Sequence, residues 1–185
     1  MAHPAQFNFC SHVKNMFPDF FKASKVLEAG SLNINGTIRT LFDLCDYTGI
    51  DIGPGPCVDF VAKAHEYDGP SDYFDVVCSC EMFEHDMYLN LSLPNLVRML
   101  KPGGLFFFTC ATTGRREHGT RRSGDVFSSP LTCQDAEWAD YYKNLTEQDI
   151  WAVLPIDHIF SKYKFTDSRL NYPGTADLYF WGIKK

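Results

Sequence analysis

Two acids and a glycine form the first candidate site in this sequence. Glu28 and Gly30 end the run "KVLEAG", and Asp51 ends "YTGID", 23 residues after Glu28. An acid at about this distance is where adenosine-type cofactors have their ribose hydroxyls held. Each charge-assisted hydrogen bond of this kind contributes about 1.5–3 kcal/mol. Gly30 lets the backbone turn closely under a ligand, whereas Asp51 would repel a 2′-phosphate. The pattern indicates an adenosine with free ribose hydroxyls.

The loop after Gly30 is poor in glycine, since Leu32 and Ile34 precede the next one, Gly36. A dinucleotide needs backbone amides packed against its pyrophosphate, and therefore glycines along the turn. S-adenosylmethionine has no phosphate and presents an amino group, a carboxylate and a sulfonium instead. This loop favours such a cofactor, with Glu28 as a partner for the ammonium.

A second cluster follows the run "YFDVVCSC". Glu81, Glu84 and His85 have the spacing i, i+3 and i+4, which puts them on one face of a helix. Carboxylate and imidazole suit several divalent metals, but a helix start also favours negative charge, and we expect no metal. His85 is a candidate general base because imidazole titrates near neutrality, and His118 is the other candidate.

A polar, glycine-bearing insert occupies residues 111–145. Its potential cations are Arg115, Arg116, His118, Arg121 and Arg122. Arginine recognises carboxylates and phosphates bidentately, so we interpret Arg115 and Arg116 as a grip for an anionic substrate, with a solvated loop as the alternative. Tyr141 and Tyr142 either close over the pocket or pack into the protein.

The elements that must position these residues follow from apolar runs and breakers. We predict strands at 25–30, 47–53, 57–65, 73–80 and 105–110, and two more near 156–164 and 176–183. Helices are predicted over 5–23 with a break at Pro18, over 34–43, over 93–100 before "KPGG", and from a capping box at Thr146. Apolar strands separated by helices indicate a doubly wound, mostly parallel α/β sheet with helices on both faces. Ligands bind such sheets at the carboxyl ends of the strands.

Length and composition are those of one globular domain, residues 1–185. We divide it into an N-terminal helical segment (1–24), a cofactor-binding core (25–110), the insert (111–145), and a C-terminal helix with strands (146–185).

A net charge of −6 argues against sequence-independent binding of nucleic acid, although the insert leaves specific contacts open. Seven scattered cysteines without a CxxC pair indicate reduced thiols and a cytoplasmic protein. The first residues lack a signal-peptide layout, and no apolar run reaches the roughly 18 residues of a membrane span.

The segments "VLEAGS", "YTGIDIGPG", "FDVVCSCEMFEH" and "LKPGGLFFFT" resemble, in order and spacing, the motifs of class I S-adenosylmethionine-dependent methyltransferases. The similarity is greatest to the methyltransferase-type-11 group and spans about residues 25–110. It implies a Rossmann-like methyltransferase sheet and S-adenosylmethionine as the cofactor. The implied contacts are Glu28, Gly30 and Ser31 for methionine, Asp51 for ribose, Ile52, Ala64 and His65 for adenine, and Ser79, Cys80 and Glu81 near the sulfonium.

Two positions depart from the family pattern. Leu32 stands where family members usually keep a second glycine. Family members also often carry an acid near the position of Lys63, which receives the adenine amino group. The resemblance implies methyl transfer. We expect a small-molecule or glycan-like acceptor, and a larger polymer is the alternative. The alternatives are a non-catalytic cofactor-binding module, a nicotinamide-dependent oxidoreductase, and a nucleic-acid methyltransferase that uses the insert. The oligomeric state stays open.

Overall fold

The computed structural model describes residues 4–185, so residues 1–3 of the N-terminal segment 1–24 lie outside it. One sheet of seven strands forms its centre. The strands are β1 (Lys25–Ala29), β2 (Asp46–Asp51), β3 (Phe60–Val61), β4 (Phe74–Cys80), β5 (Leu100–Ala111), β6 (Phe160–Asp167) and β7 (Asp177–Lys184). They lie in the order β3-β2-β1-β4-β5-β7-β6. All neighbours are parallel except β7, which is antiparallel to β5 and β6. The predicted mostly parallel sheet is confirmed.

In the described part of the chain, five α-helices surround the sheet. They are α1 (Pro4–Met16), α2 (Leu89–Met99), α3 (Pro130–Gln134), α4 (Glu147–Val153) and α5 (Ile156–Ile159). The predicted break at Pro18 is correct, since α1 ends at Met16 and a 3-10 turn follows over Pro18–Phe21. The longest of these helices has 13 residues, and none in the described part of the chain has the length and apolar character that a membrane crossing requires.

Side chains alternate between two cores, one on each face of the sheet. Leu27 of β1 packs with residues of α2 and α4, such as Leu93 and Ile150. Its neighbour Val26 packs on the other face with Phe9 of α1. Because successive side chains of a strand point to opposite faces, the all-apolar central strands need helices on both sides. Each fully buried apolar side chain contributes about 1.5–3 kcal/mol.

Some predicted elements are shorter than expected. The helix predicted over 34–43 is only a 3-10 turn, Ile38–Leu41. The strand predicted over 57–65 is reduced to Phe60–Val61 at the edge of the sheet. Both strand residues are exposed, Phe60 at 56% and Val61 at 58%. Apolar residues at an edge give the same sequence pattern as a buried strand, which explains the error.

The segment "KPGG" does not separate α2 from its strand as predicted. Residues 101–104 lie inside β5, where the pairing with β4 is irregular. Phe74 pairs with Leu100, but Val76 already pairs with Leu105. The four residues therefore bulge out of the ladder, as proline and glycine favour.

The helix start predicted at Thr146 is correct. The Thr146 hydroxyl accepts a hydrogen bond from the Asp149 amide at 3.3 Å, and the Thr146 amide donates to the Asp149 carboxylate at 2.8 Å. This reciprocal capping box fixes the first turn of α4. The helix in turn places Ile150 in the core next to α2.

Candidate functional site

A cleft opens at the carboxyl ends of β1, β2 and β4, with about 790 Å³ of space between protein atoms including its mouth. Eight of the predicted site residues line it: Glu28, Gly30, Ser31, Asp51, Ile52, Cys80, Glu81 and His85. They come together because Ala29 at the end of β1 pairs with both Ile50 and Ser79. The topology thus gathers the ends of three strands, although the ligand contacts themselves stay a prediction.

Gly30 makes the turn at the base of the cleft. Its φ is +77°, in the left-handed region that favours glycine. A Cβ there would lie 2.6 Å from the Cβ of Met82. The amides of Gly30 and Ser31 both donate to the carbonyl of Ile50, at 2.9 and 3.1 Å. A glycine is therefore required both by the backbone angle and by the close approach of the segment after β4.

Asp51 ends β2 with its carboxylate held by the loops around the cleft. The Leu32 amide donates to Oδ2 at 3.0 Å, and the Ile52 amide donates to Oδ1 at 2.8 Å. Burial raises the pKa of Asp51 above its ordinary value, while these two amide bonds lower it. A carboxylate has about four acceptor positions, so capacity remains for hydroxyl donors of a ligand.

Glu28 lies at the inner wall of the cleft and is only 4% exposed. The Tyr47 hydroxyl donates to its Oε2 at 2.9 Å. Burial raises the pKa of Glu28 to about 7, and the bond from Tyr47 opposes that rise. A cation in the cleft would stabilise the ionised carboxylate, as any opposite charge nearby does.

The loop after Gly30 folds onto the loop after β2. The Asn33 amide donates to the carbonyl of Pro56 at 2.9 Å. The Leu32 side chain lies over Gly55, where an added Cβ would be 2.2 Å from Leu32 Cδ1. The leucine found in place of a family glycine is thus accommodated by a glycine of the partner loop.

Three predicted cofactor residues do not line the cleft. Ser79 is fully buried within β4. Ala64 is in the core, and its carbonyl accepts from the Asn95 side chain at 2.8 Å. His65 stacks behind Trp138, with ring centroids 6.3 Å apart and planes 6° apart. Trp138 itself lines the cleft, so it separates His65 from the cleft interior.

The insert supplies wall residues that the sequence did not indicate. Residues 128–132 and Trp138 line the cleft together with residues of the loop 30–38. Leu131 packs over Gly53, where a Cβ would be 2.9 Å from Leu131 Cδ2. Met82 lines the cleft from the β4 side. In the sequence, apolar residues such as Leu131, Trp138 and Met82 have the same appearance as residues that pack in the core. No sequence pattern therefore marks them as lining a cleft.

Glu81, Glu84 and His85 do not share a helical face as predicted. Glu81 has a φ of +55°, which is uncommon for a residue with a side chain, and only a 3-10 turn, Phe83–His85, follows. The turn instead brings Glu84 and His85 next to His118 of the insert. The rings of His85 and His118 are perpendicular, with centroids 5.3 Å apart. Of Glu84, His85 and His118, it is His85 that also lines the cleft.

This cluster is buried and electrostatically unusual. Burial raises the pKa of Glu84 to about 8, with a further rise from the charge of Glu81. Burial lowers the pKa of His85 to about 3, and burial also lowers the pKa of His118. Both imidazoles are therefore neutral at neutral pH. Their assignment as general bases stays a prediction.

The residues predicted to bind substrate lie outside the cleft lining. Arg115 donates to Asp177 at 2.7 Å, and that carboxylate is fully buried. The charge of Arg115 is thus paired inside the protein.

Arg116 lines a shallow groove beside residues 171–176. Tyr142 packs on His85 and His118, with ring centroids 5.4 and 5.1 Å away, and Tyr141 is half-buried. Substrate binding by these four residues stays a prediction.

Sequence comparison identifies the core of the chain. The family model described as "Methyltransferase domain" matches residues 27–108. This range begins in β1 and ends in β5, so it contains the ends of all strands that form the cleft. No curated protein sequence matches the chain.

Solved structures with the same fold extend over almost the whole chain. A 1,6-didemethyltoxoflavin-N1-methyltransferase from Burkholderia thailandensis is 14% identical with a TM-score of 0.66, covering 98% of this chain and 79% of its own. The N-methyltransferase NodS from Bradyrhizobium japonicum is 15% identical with a TM-score of 0.58, covering 98% and 97%. A Haemonchus contortus phosphoethanolamine N-methyltransferase is 14% identical with a TM-score of 0.62, covering 96% and 52%. The chain therefore has the fold of the class I methyltransferases, and its residues 27–108 match their methyltransferase domain family.

Proposed function

We propose that this protein is an S-adenosylmethionine-dependent methyltransferase that moves a methyl group to a nucleophilic atom of a small acceptor. The observation that carries the proposal is the cleft, where Glu28 and Asp51 lie at the carboxyl ends of adjacent strands around the Gly30 turn. The family match covers these positions. Two of the structural neighbours were crystallised with S-adenosylhomocysteine, the demethylated product, which supports the choice of cofactor.

The residues of the cleft fit this cofactor chemically. Glu28 is a buried carboxyl group whose ionised form needs a cation, and an α-ammonium is one. The buried Ser31 hydroxyl has no hydrogen-bond partner in the described chain, so it is available to a polar ligand. Asp51 has acceptor capacity for ribose hydroxyls beyond its two amide bonds. The carboxyl groups of Glu28 and Asp51 and the hydroxyl of Ser31 would therefore face the ammonium and the polar groups of the cofactor along one wall of the cleft.

The protein's own part in the reaction is to position the reactants. S-adenosylmethionine supplies an electrophilic methyl group on a sulfonium. Glu28 and Asp51 would hold the two ends of the cofactor, while Trp138 and Leu131 of the insert would exclude water from the cleft. Cys80, Glu81 and His85, on the β4 side, would border the acceptor. Correct alignment alone supplies effective molarities of about 10⁵ to 10⁸ M.

A small-molecule or glycan-like acceptor fits best. The cleft is lined both by the insert and by the loop 30–38, so an acceptor bound there would contact both segments. The Burkholderia neighbour was crystallised with a small heterocycle, 1,6-didemethyltoxoflavin. A net charge of −6 also disfavours a nucleic-acid acceptor, because phosphate backbones are bound by basic surfaces.

Calorimetry with S-adenosylmethionine and S-adenosylhomocysteine tests the proposal. We expect binding by the wild type and a loss of tenfold or more in Asp51→Ala, which corresponds to about 1.4 kcal/mol or more. Asp46→Ala is the matched control, because Asp46 is exposed at the opposite end of the same strand. Equal affinities in the Asp51 and Asp46 variants would remove Asp51 from the site.

The rival functions are distinguished by which cofactor binds and by whether product forms. A nicotinamide-dependent oxidoreductase would bind a dinucleotide in preference to S-adenosylmethionine. A non-catalytic module would bind S-adenosylmethionine but release no S-adenosylhomocysteine with a panel of hydroxyl- and amine-bearing acceptors. Product formation with any acceptor of the panel would establish the activity.

A further inference from the structure

Three potential metal ligands meet beside the cleft. Glu84 and His85 come from the turn after β4, and His118 comes from the insert. One ligand atom from each lies within 4.8 Å of the others. Glu84 and His118 are 34 positions apart in the chain, so only the folding of the insert onto the end of the sheet brings them together.

The contact between Glu84 and His118 is too long for a hydrogen bond. His118 Nε2 lies 3.9 Å from Glu84 Oε1, whereas hydrogen bonds of this type measure about 2.7–3.2 Å. Two ligands of one ion, each about 2.1 Å from it, are about 3.0–4.2 Å apart, depending on the angle at the metal. The observed separation therefore fits two atoms that share a cation. The three ligand atoms lie within 4.8 Å of one another. This limit exceeds the upper value of about 4.2 Å, so one side chain must rotate slightly before all three can bind one ion.

The second nitrogen of His118 is already engaged. Nδ1 lies 3.1 Å from the carbonyl oxygen of Arg116. A carbonyl only accepts, so Nδ1 must carry the proton, and Nε2 of the neutral ring presents its lone pair to Glu84. Metal-binding histidines are held in this way, with the other ring nitrogen donating to a carbonyl or carboxylate.

Ligand atoms of the other two residues are buried without a hydrogen-bond partner among residues 4–185. Glu84 is fully buried, and neither of its carboxylate oxygens accepts a hydrogen bond from another described residue. His85 is 5% exposed, and its buried Nδ1 also lacks a partner among residues 4–185. Burying a carboxylate without a partner is costly. A cation in the triad would satisfy both groups.

The packing of the insert keeps His85 in place. Gly119 has a φ of +61°, and a Cβ there would lie 2.8 Å from His85 Cε1. The backbone next to His118 thus touches the ring of His85 directly. The triad is supported by a close contact between the two segments that supply it.

We propose that Glu84, His85 and His118 bind one divalent first-row transition metal ion, such as Zn²⁺. Two imidazoles and one carboxylate are a known ligand set for these ions and leave coordination positions open. His85 also lines the cleft, so an open position is within reach of a molecule bound there. If the proposed methyl transfer is correct, the ion would orient an oxygen of the acceptor. This site differs from the sequence-based expectation of no metal.

Metal titration of the purified, metal-free chain tests the proposal. We expect CoCl₂ and ZnCl₂ to saturate at one ion per chain, measured by cobalt absorption and by equilibrium dialysis with elemental analysis. Glu84→Gln and His118→Ala should each weaken binding by tenfold or more. Glu147→Gln and His158→Ala should bind as the wild type does, since both residues are exposed and lie outside the triad. Circular dichroism confirms that each variant is folded.

Wild-type protein gives an independent measurement, because an ion that binds only the folded state raises the melting temperature. We expect ZnCl₂ to raise it and a chelator to reverse the rise. The proposal is overturned if no saturable site is found, if the triad variants bind as tightly as the controls, or if cobalt shows thiolate charge-transfer bands from the cysteines. Calorimetry of S-adenosylmethionine with the metal-free protein reports separately on the proposed function.

Discussion

Glu28 links the protonation of the protein to the binding of the proposed cofactor. Its carboxyl group is 4% exposed and has a pKa of about 7, raised by burial. If the α-ammonium of S-adenosylmethionine binds here, the ionised carboxylate is the binding form. Replacing Glu28 by glutamine removes the charge but keeps an oxygen that accepts from the Tyr47 hydroxyl. We therefore expect the wild-type affinity to depend on pH and the affinity of Glu28→Gln to be independent of it.

The size of the effect follows from the pKa of about 7. About 3% of Glu28 is ionised at pH 5.5 and about half at pH 7, so the affinity should rise roughly 15-fold over this interval. The cofactor amino group remains protonated over the same range, because an α-amino group has an ordinary pKa of about 7.7–8.0. The interval therefore reports on Glu28 rather than on the ligand.

The stability of the free protein changes in the opposite direction. The folded state holds the Glu28 proton up to a pKa of about 7, whereas the unfolded state releases it at 4.5. The contribution of Glu28 is thus fully present below pH 4.5 and is lost as the pH rises to 7. Its full size is about 3 kcal/mol in the free energy of unfolding, by proton linkage. In Glu28→Gln this part of the pH dependence should be absent.

Calorimetry at pH 5.5, 6.0, 6.5 and 7.0, at constant ionic strength, measures the affinity, and urea unfolding at the same pH values measures the stability. Asp46→Ala controls for the loss of an acid outside the cleft and should keep the wild-type slope. The reasoning is refuted if the wild-type affinity is constant over the interval. It is refuted equally if Glu28→Gln keeps the same slope, because another group would then control binding.

Two further predictions concern the backbone around the site. Gly30→Ala should lower the affinity for S-adenosylmethionine by tenfold or more and destabilise the fold, because the new Cβ would meet Met82 at 2.6 Å at a φ of +77°; calorimetry and urea unfolding measure both effects, and wild-type values for both would contradict the proposed turn. Thr146→Ala should lower the free energy of unfolding by about 0.5–2 kcal/mol through loss of the cap on α4 without changing cofactor affinity, and an unchanged unfolding midpoint would show that the capping box contributes nothing.

The sequence was sufficient to locate the base of the cleft, because the ends of the strands are marked by a change of residue type. Apolar runs end at Glu28 and Asp51, and parallel strands place their carboxyl ends at one edge. Local backbone geometry was less readable. Glu81 adopts a left-handed φ, which the residue types around it do not predict. The chain therefore does not form the helix that would have placed Glu81, Glu84 and His85 on one face.

Contacts between distant segments could not be predicted from the sequence. Trp138 lines the cleft, and His118 reaches Glu84, only because the insert folds back over the end of the sheet. The insert is polar and has little regular structure, so periodicity carries no information about its path. Arg115 illustrates the same limit, since its buried partner Asp177 is 62 residues away and the charge alone suggested a surface role.

The scarcity of glycine after β1 has a physical reason in the structure. Leu32 fills the space above Gly55, so the small residue that lets the two loops approach each other lies in the second loop. The Leu32 amide donates to Asp51 at 3.0 Å. An amide that is satisfied by a carboxylate of the protein does not donate to a pyrophosphate, and the negative charge of Asp51 beside it would repel one. Leu32, which stands in place of a loop glycine and whose amide is already bonded to Asp51, therefore favours a cofactor with a ribose and no phosphate over a dinucleotide.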